Sequence, residues 1–311
     1  LKRYYDLNSY LRKIFGERVQ KISLDAGLSC PNRDGTLSRR GCLYCDGKGS
    51  GTGAWITEGL TLNEQIHRAR LFLRSRYKAN KFIAYFQSFT NTYGPLHHLK
   101  SLYDEALAHE DMVGLAVATR PDCVNKEILT LLRGYQKDHL VWIEYGLQSA
   151  HDKTLNRINR GHDVACFEEC VRMTRDFGLE TCAHIILGLP GEDREMMRHT
   201  ARFLSSLPVQ GVKIHLLYLV QGTPLAESHG RGEFRCLDRE AYADLVVDVL
   251  ELLRPDMVIH RLTGDPPKNE LVAPSWATDK TANLRLINEV LNQRNTWQGR
   301  LWKPSGVGNL R

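Results

Sequence analysis

"VWIEYGLQSAHDKTLNRINRGHDVACFEECVRMTRDFGLETCAHIILG", residues 141–188, is the stretch that decides the fold. Its two ends, VWIEYGL (141–147) and TCAHIILG (181–188), are short runs rich in Val, Ile and aromatic residues, mostly apolar on both faces. Parallel strands covered by helices have that character. Between them, CFEECVRMTRDFG (166–178) carries helical spacing, and Gly178 stands where a left-handed residue closes a helix. Strand, helix and strand in this order make a parallel βα unit.

The unit recurs in both directions along the chain. Further strands are expected at KISLD (21–25), KFIAYFQ (81–87), GLAVAT (114–119) and GVKIHLLYL (211–219). Helical spacing marks 61–77, 95–109, 125–136 and 194–207. Six such units are fewer than the eight of a closed barrel, so the expected fold is α/β, an open partial (β/α)6 TIM-like barrel. Near residue 226 the pattern changes. A helix over 239–255 ends at Pro255, and a proline-rich loop region and a short helix near 280–294 follow. The expected division is a barrel core with its N-terminal segment over 1–225, and over 226–311 a C-terminal helical and loop extension packed on it.

The chain has 311 residues, 42% hydrophobic and 25% charged, an ordinary globular composition. No apolar run is long enough to span a bilayer and no charged-then-apolar leader begins the chain, so no membrane partner is expected. The first residue is Leu1, which leaves a trimmed leader open; absent one, the expected location is cytoplasmic. Eight cysteines are too sparse to staple a chain of this length, and a local cluster of them reads as metal ligation. The net charge of +6 suits an anionic partner such as RNA, and equally an enzyme of small anionic substrates.

The cluster is CPNRDGTLSRRGCLYC (30–45), with Cys30, Cys42 and Cys45 in the first βα loop. In a parallel βα fold that loop lies at the carboxyl ends of the strands, where active sites form. Two readings stand. A zinc site would need a histidine as fourth ligand. A [4Fe–4S] cluster on three thiolates would leave one iron open for a chelating small molecule such as S-adenosylmethionine (SAM). Tyr44 then places an aromatic ring beside the cluster, to pack on adenine or simply on the core. Polar residues crowd the expected strand ends: Gln87, Ser88 and Thr90; Thr119, Arg120 and Asp122; Glu144, Gln148 and Ser149; and the glycine-rich turn GLPG (188–191). The last lets backbone approach a ligand closely. His184 is either a satisfied core histidine or a cofactor contact. Cys166 and Cys170 read as buried thiols and the basic run 67–81 as a solvated helix face, while Arg39 and Arg40 have the better claim to an RNA contact.

Taken in order, CPNRDGT…GCLYC, AYFQSFTNTY, ATRPDC, LQSAHDKTLNRINRGHD, HIILGLPGED and GVKIHLLYLVQGTPLA resemble the radical SAM superfamily. The nearest branch is a bacterial group of uncharacterised radical SAM or Fe–S oxidoreductases, akin to the catalytic subunit of Elongator and to oxygen-independent coproporphyrinogen oxidase. The resemblance implies a [4Fe–4S] cluster on Cys30, Cys42 and Cys45, bound SAM, and its reductive cleavage to methionine and a 5′-deoxyadenosyl radical. Gln148 and Arg160 match in type and spacing a pair that contacts SAM in the coproporphyrinogen enzyme. Two departures stand out: Gln87-Ser88-Phe89-Thr90 replaces a glycine-rich segment, and Ala118 replaces a glutamate. Gln87, Ser88, Thr119 and Glu144 are therefore the candidates for the SAM amine and ribose, with Tyr44 and His184 as further cofactor contacts. No residue is assigned a catalytic role beyond the cofactors. The implied partners are an electron donor such as flavodoxin or ferredoxin, and tRNA. The expected reaction processes the C5 side chain of the wobble uridine, on the route to 5-methylaminomethyl-2-thiouridine. The alternatives are a radical SAM oxidoreductase of a small metabolite or porphyrin-like substrate, and a non-catalytic Fe–S or zinc protein that binds RNA.

Overall fold

Seven parallel strands hydrogen-bond side by side in nearly sequential order, which curls the sheet into a half-barrel. The structure is a computed structural model that describes residues 2–49 and 59–304. The strands are β1 (Val19–Leu24), β2 (Lys81–Phe86), β3 (Met112–Thr119), β4 (Leu140–Gln148), β5 (Glu180–Leu187), β6 (Gly211–Leu216) and β8 (Val258–Arg261). Two short strands, β7 (Leu219–Val220) and β9 (Leu271–Ala273), pair antiparallel outside the main sheet. The helices are α1 (Leu7–Phe15), α2 (Leu62–Tyr77), α3 (Leu96–Leu107), α4 (Lys126–Tyr135), α5 (Asp152–Arg157), α6 (Val164–Asp176) and α7 (Arg194–Ser206). After them come α8 (Pro224–Gly230), α9 (Arg239–Leu252) and α10 (Lys280–Gln293). The six strands and the main helices expected from the sequence are all present, with Gly178 in the left-handed region at φ 72°.

The seventh strand, β8, comes from the loop-rich stretch VIHR. It pairs parallel with β6 through Gly211 to Lys213. Part of the expected C-terminal extension thus belongs to the main sheet; residues 305–311 of that extension lie outside the described residues. On its free edge β8 meets the start of the chain, where Ile259 N donates to Tyr5 O at 2.8 Å and Asp6 forms an isolated parallel bridge to Ile259.

Strand alternation splits the side chains into two populations. Outward residues such as Ile22, Phe86, Val117, Ile143, Ile185 and Ile214 pack under the helices in one continuous core. Inward residues face the barrel interior. At its lower end, Trp142, Tyr85, Ala116 and Cys182 form a second apolar cluster with Leu11 of α1, and Tyr10 of that helix meets Trp142 edge-on at 5.6 Å between ring centroids. Helix α1 therefore plugs the floor, and the interior is open only toward the carboxyl ends of the strands.

Candidate active site

That opening is a cavity of about 450 Å³ lined by residues from all seven strands of the main sheet. One wall is the cysteine loop that follows β1. The eleven residues between Cys30 and Cys42 fold back on themselves: Arg33 N and Asp34 N donate to Cys30 O at 2.8 and 3.1 Å, and Gly41 N donates to Asn32 O at 2.7 Å. This brings Cys30 to the same wall as Cys42 and Cys45. The loop is then fastened to the chain after α5. Leu43 N donates to Ile158 O at 2.9 Å, Asn159 Nδ2 to Gly41 O at 2.7 Å, and Asn32 Nδ2 to Asn159 O at 2.6 Å.

Arg160 links this loop to β4. Its guanidinium donates to Gly146 O through Nη2 at 2.7 Å and lies 3.5 Å from Cys42 Sγ through Nη1. Arg120 in turn donates to Arg160 O at 2.8 Å and holds Asp122 with both ends of its fork. Burial pushes the Cys42 thiol up, but the Arg160 charge and hydrogen bond, with Arg120 behind, outweigh it and lower its pKa. Gln148 sits opposite, at a bulge in β4 and in the left-handed region at φ 75°. A Cβ at Gly146 would lie 2.5 Å from Gln148 Nε2 and 2.6 Å from Arg160 Nη2, so only glycine lets both side chains reach the same place.

The structure gathers at this one cavity Cys30, Cys42, Cys45, Tyr44, Gln87, Thr119, Gln148, Arg160, Glu144 and His184. Ser88 is the exception: its hydroxyl is buried, has no hydrogen-bond partner among the described residues, and does not line the cavity. The neighbouring Thr90 does line it and has a buried, unpartnered hydroxyl aimed at no protein group. Phe89 adopts φ 60°, the left-handed conformation that a glycine-rich segment would supply without strain. Its ring lies over Gly49 Cα, where a Cβ would come within 2.6 Å. The GLPG turn does something other than receive a ligand. Gly188 and Gly191 do not line the cavity; a Cβ on Gly191 would collide with Arg157 Nη1 at 1.7 Å, so the close approach serves a side chain of the same protein.

Glu144 and His184 are fully engaged with each other and with residues that the sequence did not single out. Glu144 is wholly buried and takes an ion pair from Lys21 on one oxygen. On the other it meets His184 Nε2 at 2.7 Å and Lys213 Nζ at 3.4 Å. Although burial opposes it, the charges of Lys21 and Lys213 hold the Glu144 carboxyl well below the usual range. Burial lowers His184 to about 4 and His260 to about 3, so both rings are neutral near pH 7. The missed residues share a signal: Lys21 and Lys213 are lone lysines inside otherwise apolar strands. Arg33, also missed, donates to Cys45 O at 2.6 Å and to Asp46 O, and so closes the cysteine wall.

Other expectations have plain outcomes. Cys170 is buried and Cys166 half-buried, with burial pushing their thiols to about 12 and about 11. The basic run 67–81 is largely the exposed face of α2, where Arg70 and Arg74 both pair with Asp111. Arg39 and Arg40 are exposed on the cysteine loop.

Residues 36–204 match the Radical SAM superfamily and residues 209–293 the Radical_SAM C-terminal domain. The chain belongs to the radical SAM superfamily. It is 42% identical over 302 residues to the uncharacterized protein YtqA of Bacillus subtilis, covering 97% of this chain and 94% of that one. It is 32% identical over 165 residues to the tRNA uridine(34) acetyltransferase of Methanocaldococcus infernus, covering 51% of this chain and 30% of that protein. Among solved structures, archaeal Elp3 from M. infernus with residues 1–46 deleted superposes with a TM-score of 0.66 at 18% identity, over 90% of this chain and 64% of that one. The fold is shared across that distance. This radical SAM enzyme takes the cofactors of its superfamily, a [4Fe–4S] cluster and SAM.

The residues present fit both. Three free cysteines line one wall, the buried one under an arginine that favours its thiolate. Among the described residues, the one trio of His, Cys, Asp or Glu with ligand atoms all within 4.8 Å is Glu144, Cys182 and His184. Cys30, Cys42 and Cys45 are not such a trio, so at least one pair of their sulfurs stands further apart than that. Tetrahedral zinc at ordinary Zn–S lengths needs sulfurs about 3.8 Å apart, so their spacing suits a cluster better than a single ion. The unpartnered Thr90 hydroxyl and the ligand-sized cavity leave room and polar contacts for SAM.

Proposed function

We propose that this radical SAM enzyme remodels the C5 side chain of the wobble uridine of tRNA, with Cys30, Cys42 and Cys45 as cluster ligands. The observation that carries the substrate assignment is the 32% identity to a tRNA uridine(34) acetyltransferase. When bound, the cluster and SAM supply a 5′-deoxyadenosyl radical that takes hydrogen from an unactivated C–H bond.

The chain's own residues have separable tasks. Arg160 lowers the Cys42 thiol pKa, which favours the ligating thiolate, and lines the same cavity as Gln148. Thr119 and Gln87 offer polar atoms at the ends of β3 and β2, and Tyr44 a ring beside the cysteines. The floor sealed by α1 keeps bulk water from reaching the reacting carbon from below. The exposure of Arg39 and Arg40 on the cysteine loop supports a contact with a phosphate backbone. The reading brings with it a cytoplasmic location and an electron donor of the flavodoxin or ferredoxin kind.

Nucleoside analysis of tRNA from a deletion strain tests the reading. Accumulation of an unprocessed C5-substituted uridine is the expected result. An unchanged wobble-uridine profile, with no second enzyme for the step, would turn the assignment toward a small metabolite, a reading that the cavity of about 450 Å³ also accommodates.

A further inference from the structure

Below the cysteine loop, the interior carries more positive charge than the protein itself balances. Lys21, Lys213 and Arg261 all line the cavity, whose one wholly buried carboxylate, Glu144, pairs with the two lysines. The three histidines of this layer do not add positive charge: burial lowers His184 and His260 to about 4 and about 3, and burial also holds His215 well below its usual range. Asp265, at the rim, is exposed and pairs with Lys280 at 3.1 Å. Lys21 takes one Glu144 oxygen. Lys213 is 5% exposed and has only Tyr85 Oη at 2.6 Å and a long 3.4 Å contact to the other oxygen. The Arg261 side chain makes neither ion pair nor hydrogen bond among the described residues.

A lysine this deep that shares its one carboxylate with Lys21, and has a guanidinium without an ion pair beside it, is costly unless a ligand completes the balance. We propose that the inward faces of β6 and β8 form an oxyanion subsite, in which Lys213 and Arg261 receive a carboxylate or phosphate borne by the substrate. The inference rests on the cofactor assignment only in that it treats the cysteine wall as occupied by cluster and SAM, so that the remaining interior belongs to substrate. The guanidiniums beside the cysteine wall are Arg33, Arg120 and Arg160, which leaves Lys213 and Arg261 free of that task. Strand geometry fixes the subsite: Lys213 is held between Val212 and Ile214, both locked outward in the core, so its side chain is confined to the cavity side of the sheet. An acidic group seated there would leave the rest of the substrate pointing up toward the cysteine loop.

The test uses the reconstituted full-length enzyme with SAM bound, and acetate or inorganic phosphate as probes against chloride at constant ionic strength. Acetate or phosphate should raise the thermal midpoint where chloride does not, and Arg261→Gln should weaken the apparent affinity about tenfold, the loss of one charge-assisted pair. Lys213→Met should do the same; should that variant fail to fold, Arg261→Gln decides alone. A response to acetate only marks a carboxylate subsite, and a response to phosphate only a phosphate subsite. No response to either anion, or an equal response in Arg261→Gln, overturns the proposal. Iron content and SAM affinity are measured in the same preparations. A wild-type enzyme without cluster or SAM binding would sink the cofactor reading, whereas weakened SAM binding in Arg261→Gln would assign this charge to SAM and overturn the substrate subsite.

Discussion

Gly146 shows how a single missing Cβ sets the mouth of the cavity. Gln148 and Arg160 converge over its Cα from the far side of a bulge and from the loop after α5. The obstructing atoms are the free ends of side chains, so Gly146→Ala should fold and push both aside. Its SAM affinity is expected to fall about tenfold with iron content unchanged, as read by equilibrium dialysis on the reconstituted enzyme. Unchanged affinity would mean that the pair does not hold SAM. Cys42→Ala separates ligation from folding. Iron should drop from about four atoms per chain to nearly none while far-UV circular dichroism stays as in the wild type. A chain that loses its fold with Cys42 would instead mark a structural metal. These residues were readable in advance because they lie in contiguous motifs with fixed spacing. Ser88 sat in such a motif as well, yet the turn at Phe89 carries its hydroxyl away from the cavity, and residue type does not reveal that rotation.

At the scale of strands, legibility depended on which face a residue shows. Runs such as GVKIHLLYL identify a strand because most residues are apolar, and the same feature hides Lys213 and His215 as apparent interruptions. The pairing of β6 between β5 and β8 turns Val212, Ile214 and Leu216 into the helix-covered core and leaves Lys213 and His215 inside. Strand β8 itself, four residues with His260 and Arg261 at its end, has too little periodicity to be read before β6 supplies its partner. The neutral histidines of this layer give the enzyme an acid limit. His184 faces Glu144 with Lys21 and Lys213 around it, and burial lowers it to about 4 from the unfolded value near 6.5. The unfolded chain therefore binds more protons between those values, and stability falls as pH drops from 6.5 toward 4. The loss from His184 is on the order of 2 kcal/mol. Urea midpoints across that range should fall with pH, and His184→Gln should flatten the slope. A slope as steep in the variant would place the acid sensitivity elsewhere.

Across the whole molecule, the two ends of the chain are tied into the barrel by one buried amide. Gln298 is 4% exposed, and its side chain accepts from Tyr5 N at 2.9 Å while Nε2 donates to Arg254 O at 2.7 Å and Met257 O at 2.8 Å. Its backbone N donates to Arg3 O at 2.9 Å, and Arg3 reaches Asn292 in the last turn of α10 and Thr296 beyond it. These contacts fix the segment that meets the free edge of β8 and leads into α1, the plug of the floor. The helices of the C-terminal region share the barrel's own core, since Val246, Leu250 and Ile287 belong to the same apolar cluster as Ile22 and Ile143. Asp248 further binds α7 to the C-terminal region, with Arg194 at 2.6 Å and Arg294 at 2.7 Å. A continuous core with its edges stitched together should unfold as one cooperative unit, although the sequence reads as a barrel followed by an appendage. Gln298→Ala tests this, because it leaves one buried and two partly buried backbone groups without partners at a cost of about 2–3 kcal/mol. The expected result is a single urea transition at a lower midpoint, with the fluorescence of a background that retains only Trp142, beside the plug, and far-UV circular dichroism moving together. Two separated transitions, with Trp142 retained in the first, would show that the C-terminal region melts independently and that the amide serves only the surface it lies on.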